Sequence, residues 1–168
     1  MSAAARPLVG IVMGSESDMP AMQKCAEVLS EYGIAHEIGV MSAHRAPDVV
    51  RAYALSARDR GIRVLVAGAG AAAHLPGVLA AQTTLPVVGV PLAGTPLSGF
   101  DALLAIVQMP PGVPVATVAV GDMGARNAAH LAAQILALSD PAIAGAVERT
   151  RAAMAEKVHL PKGFAPGS

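Results

Sequence analysis

Short apolar runs alternate with amphipathic stretches from Leu8 to Leu138, and the alternation resolves into five repeats of one unit. Residues 8–13 form a continuous apolar run ending at Gly14, the pattern of a central parallel strand covered on both faces. Gly14-Ser15-Glu16-Ser17-Asp18 is small, polar and rich in helix-capping residues. Met22, Cys25, Ala26 and Leu29 then recur at helical spacing across 19–32, until Gly33 ends the segment. The unit repeats as strand 34–41 with helix 48–60, and as strand 64–67 with the loop Gly68-Ala69-Gly70-Ala71-Ala72-Ala73 and helix 74–82. Strand 87–90 with helix 99–108 and strand 115–120 with helix 124–138 complete the series. Five β-α units predict a parallel five-stranded sheet between two helix layers, an α/β three-layer sandwich with right-handed crossovers. Past Pro141 a more charged helix to about residue 157 is expected outside the core, and 161–168 reads as a frayed tail. No repeat or linker divides the chain. Residues 1–168 are therefore expected to form one domain, with its core at about 8–138, a C-terminal helix at about 140–157 and a tail at 158–168.

Composition changes this picture in one respect. Hydrophobic residues make up 54% of the 168, charged residues only 14%, and mean hydropathy is +0.52. Between Val64 and Phe100 there is no Asp, Glu, Lys or Arg, but Gly and Pro cut that run into pieces too short to span about 30 Å of hydrocarbon. Residues 1–7 lead into no signal-like apolar stretch, so a cytoplasmic protein off the membrane is expected. The surplus is better explained by contact between copies. Residues 102–107 are all apolar and 127–138 are apolar around most of the helix, so both helices are expected to be buried all round, with a neighbouring subunit as cover. Twelve basic residues balance twelve acidic ones, which gives no field for nucleic acid. Cys25, the single cysteine, excludes an internal disulfide and reads as a core thiol.

Candidate chemistry gathers at Ser42-Ala43-His44-Arg45, where the second strand gives way to its helix. Loops at the carboxyl edge of a parallel sheet combine free backbone groups with helix N-termini, the usual place for an anionic ligand. Histidine moves protons near neutral pH, and arginine grips a phosphate or carboxylate through two hydrogen bonds. Proton transfer on an anionic small molecule is one reading; a solvated capping loop is the other. Two more loops share that edge. Gly14–Asp18 offers the Ser15 and Ser17 hydroxyls to a phosphate and the Asp18 carboxylate to a sugar hydroxyl, although helix capping alone would explain these residues. Gly68 and Gly70 permit close backbone approach, without a dinucleotide fingerprint, and His74 follows as a cleft-lining or capping residue. His36, His130 and His159 have no partners at ligand spacing, so no metal site is expected. Gly-Xaa-Ser-Xaa-Gly is absent, and two Phe, two Tyr and no Trp leave little to stack a flavin.

Over residues 9–138 the chain resembles class I PurE, the N5-carboxyaminoimidazole ribonucleotide mutases of bacterial purine biosynthesis. The resemblance is carried by Met13-Gly14-Ser15-Glu16-Ser17-Asp18, Ser42-Ala43-His44-Arg45-Ala46-Pro47, Ala67-Gly68-Ala69-Gly70, Ala73-His74-Leu75-Pro76-Gly77, Leu97-Ser98-Gly99 and Ile106-Val107-Gln108-Met109-Pro110, all in order. It implies a flavodoxin-like αβα sandwich, a homo-octamer, and conversion of N5-carboxyaminoimidazole ribonucleotide to 4-carboxy-5-aminoimidazole ribonucleotide without ATP, metal or organic cofactor. It also implies that His44 is the general acid/base and that Ser15, Asp18 and Arg45 bind substrate, with Ser17, Ser42, Ala43, Gly68, Gly70 and His74 contributing nearby. The sequence departs from the family at Ala71, where glycine is common, at Ala46, where threonine is frequent, and at Leu92-Ala93-Gly94-Thr95-Pro96, where a more polar stretch is usual. Two alternatives remain: a class II enzyme of the same fold that carboxylates aminoimidazole ribonucleotide with CO2, and a noncatalytic nucleotide-binding module.

Overall fold

Alternation decides which side of the sheet each strand residue faces, and here both sides are apolar. The computed structural model describes residues 6–157. Its strands are β1 (Val9–Met13), β2 (His36–Val40), β3 (Val64–Gly70), β4 (Val87–Leu92) and β5 (Ala116–Thr117), all parallel and in the order β2-β1-β3-β4-β5. Ile11 of β1 pairs with Ile38 on one flank and Val66 on the other. Val9, Ile11, Met13, Val64 and Val66 pack beneath α1 (Met19–Glu31) and α5 (Gly121–Ala137). Val12, Leu65, Ala67 and Ala69 point the other way, beneath α2 (Pro47–Ser56), α3 (Leu75–Ala80) and α4 (Phe100–Val107). Complete burial of side chains such as Ile11 and Leu65 stabilises the fold by roughly 1.5–3 kcal/mol each. This is the expected flavodoxin-like three-layer sandwich. The extra C-terminal helix, α6 (Pro141–Glu156), packs on α5 outside the sheet; Asp140 caps it by accepting from the amides of Ala142 and Ile143 at 2.9 and 3.3 Å. The tail expected at 158–168 and His159 lie outside the described residues.

Several boundaries differ from expectation for local reasons. The Ser-rich loop does not lead straight into α1. A single 3-10 turn at Glu16–Asp18 comes first, capped by Ser15, and α1 follows with Pro20 in its first turn. α2 stops at Ser56 rather than at 60, and the chain turns at Gly61 with a left-handed φ of 102°. β3 runs through Gly70 instead of ending at Ala67, because Ala69 and Gly70 pair with Pro91 and Leu92 of a correspondingly longer β4. β5 shrinks to two residues after Pro114 and has β4 as its single neighbour.

Neither apolar helix is enclosed all round within one chain. α5 buries Ala125, Ala128, Ala129, Ala132, Ala133 and Leu136, yet Met123 near its start and Leu138 just past its end stand out. α4 buries only Ala102 and Ile106, and leaves Phe100 62%, Leu104 44% and Val107 48% exposed. Among the described residues no helix is long and apolar enough to cross a membrane. Cys25 is fully buried in α1 among the core side chains, and burial pushes its thiol up to about 12.

Candidate active site

In a doubly wound sheet a crevice opens where successive connections leave toward opposite layers. α1 leaves β1 toward one layer and α3 leaves β3 toward the other, and β1 and β3 are neighbours. Over their carboxyl ends lies a cleft of about 460 Å³. The β1–α1 loop contributes Gly14, Ser15, Ser17 and Asp18, and the β2–α2 loop contributes Ser42, Ala43, His44 and Arg45. From the β3–α3 segment come Gly70, Ala71, Ala72 and His74. All but one of the residues singled out from the sequence therefore meet in one place.

Gly68 is the exception. It sits buried within β3, where an added Cβ would run into Met22 of α1, so its missing side chain serves helix-to-sheet packing below the cleft floor. Sequence reasoning placed it in a loop because the Gly-Ala-Gly run hid the continuation of the strand. Conversely, Gly94 and Thr95 line the cleft from the β4–α4 loop and were passed over as site residues. Their position after a fourth strand at the same sheet edge was the available signal.

The geometry at the cleft is specific. His44 Nε2 lies 2.8 Å from His74 Nδ1, with ring centroids 4.9 Å apart and planes at 76°. One proton occupies that contact, so when one facing nitrogen donates the other accepts. The Arg45 guanidinium reaches back to donate to the Gly14 carbonyl at 2.7 Å, tying the first two loops together, and the Arg45 amide donates to Ser42 Oγ at 3.3 Å within its own loop. Ser15 Oγ accepts from the Ser17 amide at 3.3 Å and from the Ser17 hydroxyl at 2.9 Å. Asp18 is half-buried beside them; burial raises its carboxyl above the usual 3.8, while a hydrogen bond from the Ser15 backbone pulls the other way. Ala71 adopts a left-handed φ of 51°, a conformation that costs a non-glycine residue about 1 kcal/mol. Tight turns then close from the Ala73 amide to Ala71 O at 2.9 Å and from the His74 amide to Ala72 O at 2.7 Å, which brings His74 to His44. Among the described residues no group of three His, Cys, Asp or Glu is arranged to hold a metal ion.

Residues 8–157 match the family described as AIR carboxylase. The chain belongs to the AIR carboxylase family. Two curated relatives in it are both named N5-carboxyaminoimidazole ribonucleotide mutase. The Vibrio cholerae protein is 52% identical over 150 residues, covering 89% of this chain and 93% of its own. The Bacillus subtilis protein is 54% identical over 146 residues, covering 87% and 90%. Among solved structures, Treponema denticola PurE superposes with a TM-score of 0.81 at 32% identity, covering 90% of this chain and 94% of that one.

This AIR carboxylase family member holds a second imidazole contact far from the cleft. α1 starts at the cleft and ends about 20 Å away by its length. There the Tyr32 hydroxyl lies 2.7 Å from His130 Nδ1, with centroids 5.6 Å apart and planes at 88°. A hollow of about 140 Å³ adjoins the pair, between the end of α1, α5 and α6. Burial lowers the His130 pKa from 6.5; Arg151 and Arg126 push the same way, and Glu31 opposes them.

Proposed function

We propose that this protein converts N5-carboxyaminoimidazole ribonucleotide to 4-carboxy-5-aminoimidazole ribonucleotide, as its named relatives' title indicates for them, in a single domain built on residues 8–157. The observation that carries the reading is the His44–His74 contact in a cleft that also presents Arg45 and the Ser15–Ser17 loop. The reaction moves a carboxylate from an exocyclic nitrogen to the neighbouring ring carbon. As the N–C bond breaks, the nitrogen takes up a proton; once the C–C bond has formed, the ring carbon gives one up. Proton uptake and release balance, so one imidazole finishes as it began. His44 is the general acid/base, and His74 holds it in one tautomer through the Nε2–Nδ1 contact. Arg45 suits the substrate phosphate through charge-assisted hydrogen bonds, while Ser15, Ser17 and Ser42 add hydroxyl donors and Asp18 an acceptor for a sugar hydroxyl. Ala43 and Gly70 give the ligand close access to backbone. The cleft walls limit escape of any CO2 released between the two bonds.

The exposed apolar residues of α4 support assembly into a homo-oligomer, which we take to be the octamer that the PurE resemblance implies, acting in the cytoplasm. Purified protein should turn over the N5-carboxy substrate at low bicarbonate. Activity only with aminoimidazole ribonucleotide and abundant CO2 would establish direct carboxylation instead, and binding with no turnover of either substrate would leave a nucleotide-binding module.

A further inference from the structure

We propose that Asp101 is a positioning residue: through Thr95 it holds the 94–99 segment as the cleft wall above β4, and so sets how tightly ligand is retained without touching the reacting atoms. This rests on the mutase reading above. Asp101 lies in the first turn of α4, outside the cleft, and Thr95 lines it. The Thr95 hydroxyl donates to Asp101 Oδ2 at 2.8 Å, and its oxygen accepts from the Leu97 amide at 3.2 Å. Further bonds close the segment on itself, from the Ser98 amide to Thr95 O and from the Phe100 amide to Leu97 O, both at 3.0 Å. The backbone passes through two successive left-handed residues, Ser98 at φ 52° and Gly99 at φ 85°. Serine is disfavoured there, and Gly99 is wedged against Val120 and Ala93 so that no side chain fits.

The second carboxylate oxygen, Asp101 Oδ1, is buried with no hydrogen-bond partner among the described residues. A buried acceptor without a donor is destabilising. An acidic residue in the first turn favours α4, and the one side-chain hydrogen bond that this half-satisfied carboxylate makes goes to the cleft wall.

The test compares Thr95→Val, Asp101→Ala, the double variant and Thr95→Ser by steady-state turnover of the N5-carboxy substrate, by calorimetric binding of product and by thermal melting. Each of the first two should raise KM and product Kd about five- to tenfold, because ligand must then order a loosened wall on binding, with kcat within twofold of the wild type. The double variant should be no worse than the poorer single one, because both remove the same contact. Thr95→Ser should restore wild-type behaviour. Unchanged KM and Kd in Thr95→Val, a fall in kcat alone, additive losses, or failure of Thr95→Ser to rescue would each overturn the proposal. Should Asp101→Ala not fold, Thr95→Val against Thr95→Ser decides. Wild-type protein without turnover would sink the mutase reading and this one with it; normal wild-type turnover with unmoved variants would sink this one alone.

Discussion

Two imidazole contacts at opposite ends of α1 are nearly the same object. His44 meets His74 at 2.8 Å, His130 meets the Tyr32 hydroxyl at 2.7 Å, and both pairs are edge-on. Their surroundings differ. The first is exposed on a 460 Å³ cleft walled by four loops and shared with Arg45 and three serines. The second is half-buried in a helix seam, where burial and two arginines press it toward the neutral form. A short hydrogen bond to a histidine therefore does not mark a site by itself; what the remaining faces of the ring meet decides between chemistry and packing.

Substitutions that separate the two pairs would sharpen this contrast. The largest effect is expected from His44→Asn, which should lower kcat by about 10²–10⁴-fold while product still binds and the melting temperature holds. A variant retaining wild-type turnover would erase the distinction between the pairs. Arg45→Gln should follow, raising KM about 10- to 100-fold through loss of charge-assisted hydrogen bonds, and isothermal titration with product should show the same ratio. His74→Phe, which keeps a ring but removes its nitrogens, should lower kcat about tenfold; an unchanged kcat would make His74 a bystander.

At the other end, Tyr32→Phe should cost only about 1 kcal/mol of stability by denaturant titration and leave kcat and KM alone. Acid titration gives the smallest signal. Because folding lowers the His130 pKa, the folded state resists its protonation. The stability tied to the neutral ring is complete above about pH 6.5 and is lost as pH falls through the lower folded value. His130→Gln should therefore flatten the stability profile as pH falls below about 6.5, and an unaltered profile would place the acid sensitivity elsewhere.

Much of the scaffold was legible because its signals are local. β1 is an unbroken apolar run, and α1 carries its buried Met22, Cys25, Ala26 and Leu29 at helical spacing between a proline and a glycine. The ends of β3 and β5 were not, since strand length depends on the neighbour: β4 extends β3 through two glycines, while β5, at the edge, loses all but two residues. The site divides in the same way. Ser15, Arg45 and His44 announce themselves beside strand ends, whereas the contact between His44 and His74 joins residues 30 apart and depends on the left-handed turn at Ala71. Thr95 lacked any chemical signature, and its place in the wall comes from an aspartate on the next helix. The two apolar helices looked alike as sequence, yet α5 finds cover from α1 and α6 whereas α4 keeps a bare outer face.

Cys25 sits in the layer between α1 and the sheet, with its thiol held protonated to about 12. Only the thiolate attacks disulfide reagents, so in the native molecule the sulfur is both shielded and chemically silent. Labelling with an aromatic disulfide consequently clocks how often the whole layer comes apart, giving an opening rate from a chromophore without any engineered probe.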